Sequence, residues 1–330
     1  RRHGAYLLML CGDSDKMNGR KSVEGIMEIK TVTIVGLGAL GVLYGHQLSK
    51  ALPAGALKIL ASRQRIDRYK EGGVYCNGEP CAFDYVTPEQ AEPTDLVLVA
   101  VKQPGLTAAM DAMAGAVGEN TVILSLLNGI ASEPMLAERF GADKVLACVA
   151  QGMDAVREGQ SVRYTQKGWL VFGDMQPGAP SRKARNVAAF FKAASVQHIL
   201  ADDMPRRLWS KFMLNVGVNQ VLAAYGGGYG ALQKPGRLRD MTIAAMREVM
   251  AIAKKEGIRL EEQDIEDWMR LLATLSPEGK PSMQQDVEAR RQSEVELFAG
   301  TVIALGKKHG VPAPVNEALY QRILEIERDF

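Results

Sequence analysis

Short apolar runs alternate with helix-like segments along the first half of the chain. They are "KTVTIVG" at 30–36, "ALKILAS" at 56–62, "DLVLVAV" at 95–101, "TVILSLL" at 121–127 and "KVLACVAQ" at 144–151. Runs that are apolar on both faces and separated by helices are typical of a parallel sheet built from βαβ units. The segment 161–174 alternates as a hairpin or an edge strand does, and a helix at 182–194 and a short strand at 196–200 follow. The pattern predicts a Rossmann-type, doubly wound parallel sheet.

After residue 202 the pattern changes to amphipathic helices. The first is expected at 205–225, with Asp202 and Asp203 as caps and Pro205 in its first turn. Further helices are expected at 238–257, 261–275, 282–310 and 316–329. We therefore predict an α/β protein with a Rossmann domain at 27–202 and an all-helical domain at 203–330.

The first 26 residues differ from the rest. They combine a basic start with a seven-residue apolar run, which is at the short edge for a secretion signal. By contrast, "MEIKTVTIVG" from Met27 is typical of the beginning of a first β-strand. We expect residues 1–26 to be a leader outside the fold, with a true secretion signal as the alternative.

Composition and charge exclude several classes of protein. A chain of 330 residues with 47% hydrophobic and 24% charged residues has room for two globular domains. No stretch of the sequence approaches the roughly 18 uncharged apolar residues of a membrane span. A net charge of +2 with dispersed Lys and Arg gives no footprint for nucleic acid. Four irregularly placed cysteines and four histidines favour neither a disulfide framework nor a metal site, so we expect a cytoplasmic protein with reduced thiols and no metal.

A glycine motif follows the first predicted strand. Gly36, Gly38 and Gly41 have the G-x-G-x-x-G spacing where the strand runs into a helix. Such glycines allow a tight turn and the close approach of a pyrophosphate to the helix N-terminus. A tight turn without a ligand is the alternative, but the strand–turn–helix context favours a dinucleotide. The expected contacts are Gly36, Leu37, Gly38, Ala39, Leu40 and Gly41.

The end of the second predicted strand bears on the choice between NAD and NADP. An acid at this point binds a ribose 2′-hydroxyl, whereas an arginine binds a 2′-phosphate. The sequence has Ser62, Arg63 and Arg65 here, and the first acid comes only at Asp67. We therefore predict NADP(H) as cofactor, with Arg63 as a contact. The alternative is that the arginines form a solvated helix face.

Two polar residues follow other predicted strands. Lys102 comes directly after "LVLVAV", and Asn128 comes after "ILSLL". Ligands of open α/β sheets bind at the carboxyl ends of strands, which makes both residues candidates for the site. Each also has a structural explanation, because Lys102 opens a "KQPG" turn and Asn128 precedes Gly129.

The helical half carries polar residues on apolar faces. Lys211, Asn215 and Asn219 recur every four residues, so they form one row along their helix. Glu294 lies on an otherwise apolar stripe of the predicted helix at 282–310, and such an acid must find a cation, a donor or a substrate hydroxyl. Ser282 begins the same helix in the position of a capping box. The structural alternative is an ion pair between Lys211 and Glu294.

These residues together indicate one reaction. A hydride added to a ketone creates an alkoxide, and a lysine with an ordinary pKa of about 10.4 is protonated at neutral pH and can donate to it. Lys211 is then the general acid. Asn128, Asn215 and Asn219 orient the substrate. Glu294 orients Lys211 or a substrate hydroxyl.

The chain from Met27 onwards resembles the ketopantoate reductase (2-dehydropantoate 2-reductase) family. The matching motifs are "GLGALG" at 36–41, "VK" at 101–102, "NG" at 128–129, "WSKFMLNVGVN" at 209–219, "KPSMQQD" at 280–286 and "SEVE" at 293–296. The resemblance implies NADPH-dependent reduction of a 2-keto acid, with 2-dehydropantoate to pantoate as the leading reaction. That reaction serves pantothenate and coenzyme A synthesis.

The resemblance also implies a role for each matching residue. Lys211 would be the proton donor, Glu294 would contact the substrate, and Lys102 would lie near the nicotinamide. The substrate would be held by Asn128, Asn215, Asn219 and Ser282, with Asn128 also contacting the cofactor. The family fold is a Rossmann domain followed by a helical domain, with the site in the cleft between them.

Three departures from the family pattern bear on which keto acid is used. They are Gln284 where the family usually has Leu, "EVEL" after Ser293, and "KQPG" after Lys102. Two other hypotheses stay open. One is a related dehydrogenase of the same architecture that acts on another keto acid, an imine or a hydroxy acid; the other is an NADPH-binding sensor without catalysis. A homodimer is also left open.

Overall fold

The computed structural model describes residues 28–330, so the leader predicted at 1–26 lies outside the described residues. The chain forms two compact units, one ending at Leu208 and the other comprising Trp209–Phe330. We refer to residues 28–208 as the sheet unit and to Trp209–Phe330 as the helical unit.

The strands of the sheet unit form two sheets. The strands are β1 (Val32–Val35), β2 (Leu57–Leu60), β3 (Tyr75–Cys76), β4 (Glu79–Pro80), β5 (Asp84–Val86), β6 (Thr94–Val99), β7 (Val117–Ser125), β8 (Val145–Met153), β9 (Val156–Glu158), β10 (Ser161–Arg163), β11 (Lys167–Gly173) and β12 (His198–Leu200). The main sheet has eight strands in the order β12-β11-β8-β7-β6-β1-β2-β5, and the small sheet has four in the order β4-β3-β10-β9.

The main sheet is parallel apart from the pairing of β8 with β11. On its central strands β1 and β6, neighbouring residues belong to different cores. Ile34 and Leu98 are register partners in one hydrophobic cluster, whereas Val35 and Val99 are register partners in another. A sheet buried on both faces requires apolar side chains at every position, which explains the unbroken apolar runs. The predicted Rossmann-type sheet is confirmed.

Helices connect the strands of the main sheet. They are α1 (Ala39–Ala51), α2 (Arg63–Gly72), α3 (Leu106–Ala112), α4 (Ser132–Phe140) and α5 (Arg182–Ala193). The segment 161–174 does not form a hairpin with itself, because β10 joins the small sheet and β11 joins the main sheet. Four strands, β3, β4, β5 and β9, were not predicted. With two or three residues each, they are too short to show an alternating pattern.

The helical unit follows the predicted order of helices with one correction, and it contains one short helix, Gly230–Gln233, that was not predicted. The helices are α6 (Met204–Tyr225), α7 (Gly230–Gln233), α8 (Arg237–Lys255), α9 (Glu262–Leu272), α10 (Ser282–Glu288), α11 (Thr301–His309) and α12 (Pro314–Glu327), with a π-helical turn at Glu296–Gly300 before α11. The backbone N–H of Arg206 donates to Asp203 Oδ1 at 3.1 Å, which supports the predicted cap of α6.

The single long helix predicted at 282–310 is wrong, because residues 289–293 interrupt it. Arg290 has a φ of +52°, in the left-handed region. The backbone N–H of Ser293 donates to Glu327 Oε1 at 2.8 Å instead of to a carbonyl of the preceding turn. A contact with α12, distant in sequence, therefore fixes the chain where the helical pattern alone would continue.

The first turns of α6 belong to the sheet unit. Met204 and Leu208 are buried in a cluster with Ala147, Val149 and Val171. The division between the two compact units therefore falls inside α6, a little beyond residue 202. The domain ranges 27–202 and 203–330 stay a prediction.

Residues 28–330 contain neither a membrane-spanning helix nor a cluster of metal ligands. None of the helices described there is long and apolar enough to cross a membrane. No group of three or more His, Cys, Asp or Glu side chains that could hold a metal ion was found in the same part of the chain.

Gly217 lies where α6 packs closely against α8, so a larger side chain there should destabilise the protein. A Cβ at this position would lie 2.7 Å from Met246 Cγ and 3.0 Å from the Thr242 carbonyl oxygen on α8. Overpacking typically costs about 1–3 kcal/mol, and contact with a backbone oxygen and an inner side-chain atom favours the upper part of this range, about 2–3 kcal/mol. Alanine recovers about 1 kcal/mol of helix propensity. We expect Gly217→Ala to lower the free energy of unfolding by about 1–2 kcal/mol, measured by denaturant titration.

Gly105→Ala is the matched control, because its Cβ would lie 3.9 Å from its nearest neighbour, Val101 Cβ. Equal stability of the Gly217→Ala variant and the wild type would contradict close packing between α6 and α8.

Candidate active site

The glycine turn between β1 and α1 is tightly packed against the end of β6. Gly36 has a φ of +94°, and a Cβ there would lie 2.7 Å from Val101 Cγ1. A Cβ on Gly41 would clash with the carbonyl oxygen of Gly36. Gly38 is the N-cap of α1; among the described residues no side chain caps this helix, and its first turn holds no acid. The helix N-terminus therefore favours an anion.

The three residues between these glycines present their backbone. Leu37 is buried in the core, which leaves only its main chain for a ligand. Ala39 and Leu40 form the first turn of α1 and are partly exposed. The first N–H groups of a helix have no partner within the helix, as phosphate binding requires.

Arg63 is the first residue of α2, directly after the turn that follows β2. Its side chain and that of Arg65 are exposed. A hydrogen bond from Thr87 and, to a smaller extent, the Arg63 guanidinium hold the pKa of the Glu89 carboxyl below its usual range. The position of Arg63 beside the carboxyl end of β2 matches the one predicted for a 2′-phosphate contact.

Lys102 and Asn128 follow adjacent parallel strands. Lys102 is exposed and precedes the 3₁₀ turn Gln103–Gly105 after β6. Asn128 comes three residues after the end of β7 and precedes Gly129, whose φ is +90°. Because β7, β6 and β1 are neighbours, both loops leave the same edge of the sheet as the glycine turn. The sheet unit thus brings the predicted cofactor residues together.

The row on α6 lies in the helical unit. Asn215 and Asn219 are buried, and Lys211 is partly buried. Burial lowers the pKa of Lys211 to about 8, since the charged form of a lysine loses hydration there. A lysine with this pKa can exchange a proton near neutral pH.

Glu294 lies two residues before the π-helical turn Glu296–Gly300, rather than within a continuous helix from residue 282. Its carbonyl oxygen accepts from the N–H of Phe298 at 3.1 Å. The ring of Phe298 packs 6.4 Å from that of Phe212, the neighbour of Lys211 on α6. Single π-helical turns occur frequently at functional sites.

Ser282 is the first residue of α10, and its side chain is exposed. The N-cap of α10 is Pro281, and no side-chain hydrogen bond caps it, so the capping box considered from the sequence is not formed. The hydroxyl of Ser282 is therefore not used as a helix cap.

A buried polar network lies on another face of α6. Gln220 and Asn316 are fully buried, and Gln220 Nε2 donates to Asn316 Oδ1 at 3.0 Å. Asn316 Nδ2 donates in turn to Glu248 Oε2 at 2.7 Å. These bonds join α6 to α12 and α8, and so fix the rotation of the helix that carries Lys211.

Glu133 was missed by the sequence prediction. It lies in the first turn of α4, after the loop that carries Asn128, and only 1% of its surface is exposed. Burial raises its pKa to about 7, although hydrogen bonds from Ser132 and from the backbone partly offset the effect. Acids are common in first helical turns, so no sequence pattern indicates that this one is buried.

Comparison with known proteins covers both units. The model for ketopantoate reductase PanE/ApbA matches residues 32–177, and the model for its C-terminal domain matches residues 203–327. The 2-dehydropantoate 2-reductase of Halobacterium salinarum is 28% identical over 305 residues, which are 90% of this chain and 99% of the relative.

Solved structures have the same fold. The PanE/ApbA family ketopantoate reductase from Ralstonia eutropha JMP134 is 27% identical with a TM-score of 0.77, over 91% of this chain and 99% of that chain. D-mandelate dehydrogenase in complex with NADH and anilino(oxo)acetate has a TM-score of 0.80 at 20% identity, with the same coverage, and shares the fold alone. The glycine turn, the strand-end residues, the row on α6 and the matches over both units agree: this chain belongs to the ketopantoate reductase PanE/ApbA family.

Proposed function

We propose that this protein catalyses the NADPH-dependent reduction of 2-dehydropantoate (ketopantoate) to pantoate, a step of pantothenate and coenzyme A synthesis. The observation that carries the proposal is the partly buried Lys211, with a pKa near 8, in one row with two buried amides. This row lies in a chain that both models of the ketopantoate reductase family match.

The sheet unit has a place for NADPH. The tight turn made by Gly36 with its φ of +94°, and an N-terminus of α1 without a side-chain cap within residues 28–330, fit a pyrophosphate. The contacts would come from the backbone of the glycine turn, with Arg63 on the 2′-phosphate and Lys102 and Asn128 near the nicotinamide. When bound, NADPH supplies the hydride that is added to the keto carbon.

Lys211 would supply the proton. Its ammonium donates to the carbonyl oxygen as that oxygen becomes an alkoxide, which yields the hydroxyl of pantoate and a neutral amine. The lowered pKa makes Lys211 a stronger acid than an exposed lysine. After product release, the amine takes up a proton from solvent.

The other polar residues would hold the substrate. The amides of Asn128, Asn215 and Asn219 and the hydroxyl of Ser282 can donate to the carboxylate and accept from hydroxyl groups. Glu294 would accept from a substrate hydroxyl or orient Lys211. These roles follow from the chemistry of the side chains and from the family.

Two further proposals concern the location and the oligomeric state of the protein. A cytoplasmic location is supported by the cysteine pattern and by the free thiols of Cys76, Cys81 and Cys148. The second proposal is that the protein forms a homodimer. Measurement of its molar mass in solution tests this directly.

Substrate choice is tested with a panel of keto acids and the absorbance of NADPH. We expect the highest kcat/KM for 2-dehydropantoate among 2-dehydropantoate, pyruvate, 2-oxoisovalerate and phenylglyoxylate. Phenylglyoxylate is included because it is the keto counterpart of mandelate, and D-mandelate dehydrogenase shares the fold. Turnover of another member of the panel without turnover of 2-dehydropantoate would defeat the assignment.

The role of Lys211 predicts a pH dependence. The protonated amine is the active form, so kcat/KM for reduction should be constant at lower pH and fall as the pH rises through about 8. Lys211→Ala should lower kcat by about 100- to 10,000-fold and leave the dissociation constant of NADPH unchanged. Steady-state assays measure kcat, and fluorescence titration measures the dissociation constant of NADPH.

Lys234→Ala, which removes an exposed lysine of the same unit, is the control and should behave as the wild type. A Lys211→Ala variant with undiminished reduction would support the structural ion pair or the sensor hypothesis instead.

Cofactor preference is predicted to depend on Arg63. Arg63→Ala should weaken NADPH binding about tenfold and leave NADH binding unchanged, because only NADPH carries the 2′-phosphate. Arg68→Ala, on the same helix and also exposed, should change neither affinity. An equal loss for both cofactors in Arg63→Ala would contradict the 2′-phosphate contact.

A further inference from the structure

The loop that carries Asn128 is fastened by a buried chain of hydroxyl groups. Ser125 at the end of β7 and Ser132 at the start of α4 are both buried, and their Oγ atoms lie 2.7 Å apart. Ser132 Oγ donates to Glu133 Oε2 at 2.9 Å. We refer to residues 126–131, which lie between the two serines, as the Asn128 loop.

When Glu133 is ionised, the direction of these hydrogen bonds is determined. A serine hydroxyl has one hydrogen, and that of Ser132 is given to Glu133, so Ser125 must donate to Ser132. Ser125 Oγ in turn accepts from the backbone N–H of Leu127 at 3.3 Å, inside the Asn128 loop. The whole chain of donors therefore ends on one acceptor, the carboxyl group of Glu133.

Glu133 lies where two strands of the main sheet separate. β7 and β8 are paired only at Ile123 with Val145 and Leu124 with Leu146. Beyond this point the backbone N–H of Cys148 on β8 hydrogen-bonds to the carboxyl group of Glu133. The side chain thus replaces a strand partner at the edge from which the Asn128 loop leaves.

The surroundings of Glu133 provide little compensation for a charge. Burial raises the pKa of the Cys148 thiol and of the Tyr44 hydroxyl next to it, so both are neutral at pH 7. Within the described residues Glu133 Oε1 accepts no hydrogen bond. A buried acid with so few hydrogen-bond donors, and with no cation beside it within residues 28–330, lowers stability relative to an apolar side chain. Such a residue needs an explanation, and a functional role is one.

Helix α4 also supports the neighbouring loop. Gln103, which follows Lys102, donates from Nε2 to the sulfur of Met135 at 3.6 Å. The same helix thus contacts the Lys102 turn and, through Ser132, closes the Asn128 loop.

We propose that Glu133 is a positioning residue, which acts through Ser132 and Ser125 to hold the Asn128 loop in the conformation that binds cofactor and keto acid. This inference rests on the role proposed for Asn128. Glu133 itself follows the loop on α4, and no contact with cofactor or substrate is assigned to it.

The test compares stability with function in four variants. Glu133→Leu removes the cost of a buried acid but leaves the donors of Ser132 and Cys148 without an acceptor, so its melting temperature should stay within a few degrees of the wild type. It should nevertheless weaken NADPH binding and kcat/KM, each by about tenfold. Ser132→Ala should have the same kinetic effect. Glu133→Gln retains an acceptor oxygen and should stay within about threefold of the wild type. Glu138→Leu changes an exposed acid of the same helix and is the control.

A double-mutant cycle with Asn128→Ala separates positioning from a merely structural role. If Glu133 acts through Asn128, Glu133→Leu should cause no further loss in the Asn128→Ala background. Multiplicative losses would overturn the proposal, and so would wild-type kinetics of Glu133→Leu. If Glu133→Leu fails to fold, Ser132→Ala takes its place in the cycle with the same two outcomes.

NADPH affinity is the primary measurement in this cycle, because it is independent of the keto acid. Lack of turnover of any keto acid by the wild type would contradict the proposed function. The coupling between Glu133 and Asn128 in NADPH binding would still decide the positioning role.

Discussion

The cost of removing polar groups from water determines the layout of both units. In the helical unit it lowers the pKa of Lys211 and requires the buried amide of Gln220 to pair with Asn316. In the sheet unit it requires the hydroxyls of Ser125 and Ser132 to find a common acceptor. Buried polar side chains stay in fixed positions, because each has few alternative hydrogen-bond partners. Such fixed positions are what a reaction between cofactor and substrate needs.

Much of the fold was predictable because its signals are local. The β-strands of the Rossmann-type sheet are apolar on both faces, and the glycine turn has a spacing that few other structures require. The row on α6 was visible because a helix repeats every 3.6 residues, so Lys211, Asn215 and Asn219 share a face in any environment. Lys102 and Asn128 could be placed together because parallel strands end at the same edge.

The remaining features depend on contacts between distant segments. The break at 289–293 uses Glu327 of α12, which no local pattern reveals. Because of this break, Glu294 lies just before a π-helical turn and not in the middle of a helix. Glu133 has the sequence context of an ordinary first-turn acid, and only the packing of β8 against α4 buries it. Local rules therefore predicted the candidate site residues, but they did not identify the residues that support them.

The edges of the main sheet have a consequence for assembly. Its outer strands, β5 and β12, are three residues long, although strands in its interior reach nine. A three-residue edge exposes few main-chain donors and acceptors, so it is a poor template for the strand of another chain. Two copies of this protein would accordingly associate through side-chain surfaces and not by extending one sheet into the next. The short edges also make the folded sheet a poor site for aggregation.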